Sequence, residues 1–215
     1  MTTAIIGGGA AGVAAAITAA ERGRSVIVLE RNRKPLKKLG VTGNGRGNLL
    51  NSGPPVYFGD EAFARRVLSR VGYPELRAFF TSLGVALKQE EEGRVYPAAL
   101  MASVAVEAML LRAAQLGVQF VTGTRVEEIT RVREGFLIRA FQEGSAENPH
   151  KRNAGPSQAA APEPAGLNTV RADRVIVAAG GAAAPAHGTD GSGYGLLTAL
   201  GHRLTPVRPA LCALL

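Results

Sequence analysis

The chain has 215 residues, is 46% apolar and carries a formal net charge of +8, which allows a substantial core in one or two domains. Its single cysteine, Cys212, excludes an intramolecular disulfide, cysteine-cluster zinc sites and CxxC redox chemistry, and the composition suits a reducing cytoplasm. No apolar run is long enough to span a membrane, and the apolar N-terminal stretch lacks the basic start of a secretory signal.

An apolar strand at about 3–6 opens the chain and runs into Gly7-Gly8-Gly9-Ala10-Ala11-Gly12. Small residues in this order have separate mechanical roles in gripping a dinucleotide. Gly7 lets the backbone bend sharply, Gly9 removes the Cβ that would block a pyrophosphate, and Gly12 lets the following helix lie close on the strand. That helix starts near Ala10 and points its N-terminal N–H groups and dipole at the pyrophosphate. Ala16 keeps the next turn of the same face small, and Gly23 stands in the C-cap position. Val26, Val28 and Glu30 alternate along a second strand, so Glu30 emerges at its end. There a carboxylate can accept hydrogen bonds from both ribose hydroxyls and would repel a 2′-phosphate.

Between Arg31 and Asn48 stand Arg31, Arg33, Lys34, Lys37, Lys38 and Arg46, with no acidic residue. Directly after the fingerprint, this block is suited to neutralising cofactor phosphates, with Arg33 and Lys34 read as solvated. Its second half, Leu39 to Asn48, is too glycine-rich for a stable helix or strand. It reads as backbone that approaches a ligand, with Thr42, Asn44, Arg46 and Asn48 as donors; a flexible surface loop is the plainer alternative. The basic balance raises nucleic acid as a partner. Aromatics make up only 5% of the chain and none interleaves with the basic run, so a stacking platform is not expected.

Asp60 reads as the N-cap of a helix through about Val71, and Pro74 starts a second that ends before Gly84. Val85–Gln89 and Arg94–Pro97 flank Glu90-Glu91-Glu92-Gly93 as a hairpin, the glutamates forming a solvated turn rather than a metal cluster. Ala98–Leu116 reads as a helix closed by Gly117, with Met101 and Met109 as core fillers. Val118–Val121, Arg125–Val132 and Phe136–Phe141 alternate as an antiparallel meander. Residues 143–168 lose all periodicity and read as a disordered insertion. Asp173 to Gly181 then reads as a fully buried parallel strand, whose end at Ala179, Gly180 and Gly181 faces the ligand edge of the sheet. A second glycine run, Gly188 to Gly193, leads into a short apolar helix closed by Gly201. It is either a further anion site or a simple helix cap.

Four segments resemble the two-dinucleotide-binding-domain flavoproteins, and specifically the HI0933-like or BaiN-like family of NAD(P)/FAD-dependent oxidoreductases: IIGGGAAG with Glu30, KKLGVTGNGRGNLLN, GRVYPAALMASVAVEAML and VIVAAGGAAAPAHGTDGSGYGLLTALGH. The resemblance implies an α/β fold. A Rossmann-like FAD-binding domain with a parallel central sheet plus an antiparallel β-meander would occupy 1–142 and 169–208. Residues 209–215 would begin a substrate-side domain that the chain lacks.

By the same resemblance the cofactor is FAD, and the flavin transfers hydride with NAD(P)H or a small organic substrate as its reaction partner. Gly7, Gly9, Ala10, Ala11 and Gly12 would then take the pyrophosphate and Glu30 the adenosine ribose. Lys38, Thr42, Gly43 and Arg46 would line the flavin side, with Arg31 and Asn44 also among the cofactor-binding residues. Val126 would offer backbone contacts to adenine, and Ala179, Gly180 and Gly181 would pass close to the cofactor. One departure is Gly47, which stands where the family's loop carries a cysteine. No catalytic acid or base and no metal site stand out, and His187 and His202 read as structural or solvated. An RNA-modifying or RNA-binding flavoprotein and a non-catalytic remnant are the alternatives; substrate and oligomeric state are not specified.

Overall fold

The computed structural model describes residues 1–54, 56–57, 59–142 and 167–208. The low-complexity segment therefore lies outside the described residues up to 166, as do residues 209–215. At 167 the chain is already in a strand, two residues inside the range assigned to the insertion.

The core is a four-stranded parallel sheet of β1 (Thr2–Ile6), β2 (Ser25–Glu30), β6 (Gln119–Thr122) and β10 (Arg174–Val177), in the order β10-β1-β2-β6. Side chains alternate across it, because successive Cβ atoms point to opposite faces. Ile5, Val26 and Val28 pack on α1 (Ala10–Glu21) and α4 (Ala102–Gln115), together with Val13, Ile17 and Met109. Ala4, Ile6 and Leu29 face a second sheet, the antiparallel meander β7 (Thr124–Val132), β8 (Gly135–Gln142) and β9 (Leu167–Ala172), through Val126, Ile129 and Ile138. The central strands are thus covered on both faces. A third sheet, β3 (Leu50–Asn51), β5 (Arg94–Pro97) and β4 (Leu87–Gln89), carries the expected hairpin. Two helices, α2 (Glu61–Leu68) and α3 (Tyr73–Ser82), lie between β3 and β4 in the chain. Asp60 caps α2 by accepting the Phe63 N–H at 2.9 Å, and Pro74 lies in the first turn of α3.

Four expectations change. Val118–Val121 is not part of the meander: β6 pairs in parallel with β2, and β9 supplies the third meander strand. Short strands alternate alike in either role, so the pattern could not separate them. The strand after Asp173 is parallel to β1 as expected, but it lies at the sheet edge, where Ile176 remains 38% exposed. The helix expected from Ala98 begins at Ala102, because the Ala98 N–H donates to the Ala86 carbonyl at 2.8 Å and keeps the chain tied to the hairpin. Met101 consequently falls outside the helix and is 55% exposed, while Met109 is buried. No helix among the described residues is long and apolar enough to cross a membrane.

Candidate functional site: a dinucleotide cleft

The C-terminal ends of β1, β2 and β10 open into a cleft of about 330 Å³, walled by the start of α1, the 34–42 segment, the start of β7 and residues 179–192. This is where parallel α/β sheets place ligands. Every predicted cofactor residue lines it except Gly12, Gly43, Asn44 and Arg46.

The three fingerprint glycines are required for different reasons. Gly7 has φ +105°, and a Cβ there would lie 2.7 Å from the Ala178 carbonyl oxygen. A Cβ on Gly12 would fall on the Gly7 carbonyl oxygen, so Gly12 serves packing rather than lining. A Cβ on Gly9 would meet nothing within 4 Å; that direction is open for a ligand. Gly9 is also the N-cap of α1 and offers no side-chain hydrogen bond, and no acidic residue sits in the first turn. The first helical N–H groups, on Ala10 and Ala11, therefore face the cleft with the positive end of the helix dipole behind them.

Glu30 is only 6% exposed. One carboxylate oxygen accepts the Gly8 N–H at 2.6 Å, and the other accepts the Asn32 backbone N–H at 2.7 Å and its side-chain amide at 2.6 Å. A carboxylate has about four lone-pair sites, so three donors leave it acceptor capacity toward the cleft. Neither Gly8 nor Asn32 was among the predicted residues. Asn32, a polar residue two positions beyond the strand's last carboxylate, was the available signal.

The glycine-rich loop divides. Lys38, Thr42 and Asn48 line the cleft, whereas Arg46 turns to Glu90 at 2.6 Å and lies over the Tyr96 ring, 4.6 Å from its centroid. The Arg46 guanidinium, helped by Lys88, holds the Glu90 carboxyl below its usual range. Gly43, at φ +58°, packs beside Asn48 and Tyr96, and Asn44 takes φ +55° in the same turn. Arg46 and Gly43 thus brace the loop on the hairpin. Gly47 has φ +82°, and a Cβ there would come within 3.0 Å of Ala102 Cα; a cysteine at this position would crowd the start of α4.

The opposite wall is the second glycine run, leading into α5 (Ser192–Ala199). Gly180 has φ +78°, and a Cβ on it would lie 2.7 Å from the Thr189 methyl carbon. Three contacts join this wall to the loop after β2. Arg31 pairs with Asp190 at 2.6 Å, the Lys37 ammonium donates to the Ala186 carbonyl at 2.8 Å, and Asn32 packs so closely on Gly188 that a Cβ there would stand 2.5 Å from its amide nitrogen. The Arg31 guanidinium, assisted by hydrogen bonds from Ser192, holds the Asp190 carboxyl well below the usual carboxylate range. Lys34 is exposed, as expected, and also lines the cleft. Val126 lies beside a β-bulge between Val126 and Glu128, a device that interrupts a ladder and re-aims backbone next to a site.

The donor set fits a dinucleotide. Uncapped helical N–H groups and cleft-lining cations would suit the charge of a pyrophosphate, a buried carboxylate with spare acceptor capacity would suit ribose hydroxyls, and Gly9 leaves the approach clear. Fold and cleft together define a Rossmann-like dinucleotide-binding domain of the FAD-binding type.

The chain belongs to the family described as the HI0933-like protein Rossmann domain, which matches residues 1–152. A curated relative, the 3-dehydro-bile acid delta(4,6)-reductase of Clostridium scindens, is 39% identical over 98% of this chain. The chain spans 46% of that relative's length. Among solved structures, the 3-ketosteroid-delta4-(5alpha)-dehydrogenase of Rhodococcus jostii RHA1 shares the fold. It has a TM-score of 0.51 at 19% identity over 83% of this chain and 45% of that one.

Proposed function

We propose that this chain is the FAD-binding portion of a flavin-dependent oxidoreductase. The observation that carries the reading is Glu30, a carboxylate held at the end of β2 by Gly8 and Asn32, facing the same cleft as the open Cβ direction of Gly9 and the uncapped start of α1. Membership of the family and the kinship to a reductase point the same way. When bound, the flavin supplies hydride chemistry, while the protein supplies binding, orientation and electrostatics.

In this reading Ala10 and Ala11 donate backbone N–H groups to the pyrophosphate. Arg31, Lys37 and Lys38 balance its charge, and Glu30 accepts from the ribose. Thr42 and Asn48 lie on the wall toward the flavin, and Gly180 and Gly181 let the backbone pass close to the cofactor. NAD(P)H is the proposed hydride donor. The carbonyl-bearing bile acids named for the relative are the first substrate class to try with the complete protein.

The test is absorbance spectroscopy of the purified chain after incubation with excess FAD and desalting. Retained flavin bands near about 370 and 450 nm, from the ring that carries the redox chemistry, are expected, together with a melting temperature that rises with FAD concentration. A protein that neither retains flavin nor gains thermal stability from it would overturn the reading.

A further inference from the structure

We propose that Asn32 is a positioning residue that makes Glu30 read one hydroxyl of the adenosine ribose rather than the pair. The proposal rests on the FAD reading above and sets the selectivity of its ribose end.

Its basis is an account of acceptor positions. A carboxylate has about four lone-pair sites, two on each oxygen. The Glu30 Oε1 accepts the Asn32 backbone N–H at 2.7 Å and the Asn32 side-chain amide at 2.6 Å, so both of its sites are filled. Oε2 accepts the Gly8 N–H at 2.6 Å and keeps one site. Glu30 lines the cleft and is 6% exposed, so the remaining site on Oε2 is what it offers a ligand. Two ribose hydroxyls donating together would need a further open site, which Oε1 lacks while Asn32 stays in place.

Packing keeps Asn32 in place. Its backbone carbonyl accepts the Gly123 N–H at 3.2 Å, which ties it to the turn between β6 and β7. Its amide nitrogen is pressed against Gly188, where an added Cβ would stand 2.5 Å away. Gly188 belongs to a wall that is itself fastened by Arg31 on Asp190 at 2.6 Å and by Lys37 on the Ala186 carbonyl at 2.8 Å. The amide therefore cannot swing off Glu30 unless that wall moves. Gly8 closes the other side of the carboxylate, because a Cβ there would lie 3.2 Å from Oε2. Asn32 thus acts on the ribose through Glu30, by deciding which oxygen is free.

The test measures binding of ADP, 2′-deoxy-ADP and 3′-deoxy-ADP to the wild-type chain and to Asn32→Ala, with thermal melts of the ligand-free proteins as a check on folding. In wild type, one deoxy analogue should bind about tenfold more weakly than ADP, the loss of one hydrogen bond to a charged acceptor. The other should bind as ADP does. Asn32→Ala frees a site on Oε1, so both analogues should then fall behind ADP. Comparable losses for both analogues in wild type would show two hydroxyls read at once and overturn the proposal, whether or not the variant folds. An unchanged pattern in Asn32→Ala, or equal weakening of all three ligands, overturns it too, since a brace alone confers no hydroxyl selectivity. If the wild-type chain binds neither ADP nor FAD, the cofactor reading itself falls and takes this proposal with it. Wild-type ADP binding that is indifferent to both hydroxyls sinks the ribose contact of Glu30 and this proposal, and leaves the FAD reading standing.

Discussion

The Glu30 carboxylate accepts the Gly8 N–H at 2.6 Å across 22 residues of chain, tying the end of β2 to the glycine turn that follows β1. The same side chain holds Asn32 through two further hydrogen bonds, and Asn32 supports the far wall at Gly188. One buried carboxylate thus organises both sides of the cleft, which makes its removal a structural change as well as a functional one.

Glu30→Ala leaves three buried or half-buried donors without their acceptor. It should destabilise the protein by about 1–3 kcal/mol and weaken FAD binding. Glu30→Gln keeps one acceptor oxygen and should cost less in stability. Urea unfolding of the three proteins, with FAD titrations alongside, checks the order.

Gly9→Ala and Gly12→Ala should separate binding from folding. The Cβ at position 9 enters open space, and the local φ of −75° is available to alanine. Its stability cost should stay within the range of an N-cap change, under about 1 kcal/mol, while FAD affinity drops. At position 12 the Cβ falls on the Gly7 carbonyl oxygen, and overpacking of that kind costs about 3 kcal/mol. Equal loss of stability in the two variants would contradict the geometry.

The Arg31–Asp190 pair sets a pH dependence. The folded-state pKa of Asp190 is depressed below an unfolded value of about 3.9. Its stabilising contribution is therefore present above that value and is lost as pH falls through the folded pKa. Both side chains are partly exposed, at 25% and 37%, so solvent screening limits the contribution to about 1 kcal/mol or less. The stability difference between wild type and Asp190→Asn should be constant above about pH 5 and shrink below about pH 4. Denaturation midpoints across this range provide the measurement.

Asp60→Ala should act locally. Asp60 accepts the Phe63 N–H at the start of α2, and no residue of that helix is buried. Loss of the cap, worth about 1 kcal/mol, should speed amide hydrogen exchange in α2 while leaving the global unfolding midpoint and FAD affinity unchanged. A global loss of stability would show that α2 is coupled to the core.

The glycine fingerprint, the strand ending at Glu30, the cap at Asp60, the helix start at Pro74 and the hairpin around Glu90 were all legible in the sequence. Each rests on local chemistry: a backbone angle, a missing Cβ, a cap or an alternation spans a few neighbouring residues. What the tertiary structure decided was partnership between distant segments. Alternation marks residues 118–121 as a strand, but only spatial order makes it β6 beside β2 rather than a meander strand. A buried apolar reading of residues 175–177 could not show that β10 lies at an edge. The basic block after Glu30 suits cofactor phosphates by its charge, but its sequence does not say which of its members the protein itself engages. In the fold, Arg31 is bound to Asp190 and Arg46 to Glu90, residues far away in sequence. Charge and hydrogen-bond capacity are written in single residues, but the choice of partner depends on which surfaces the packed sheets and helices bring within about 3 Å of one another.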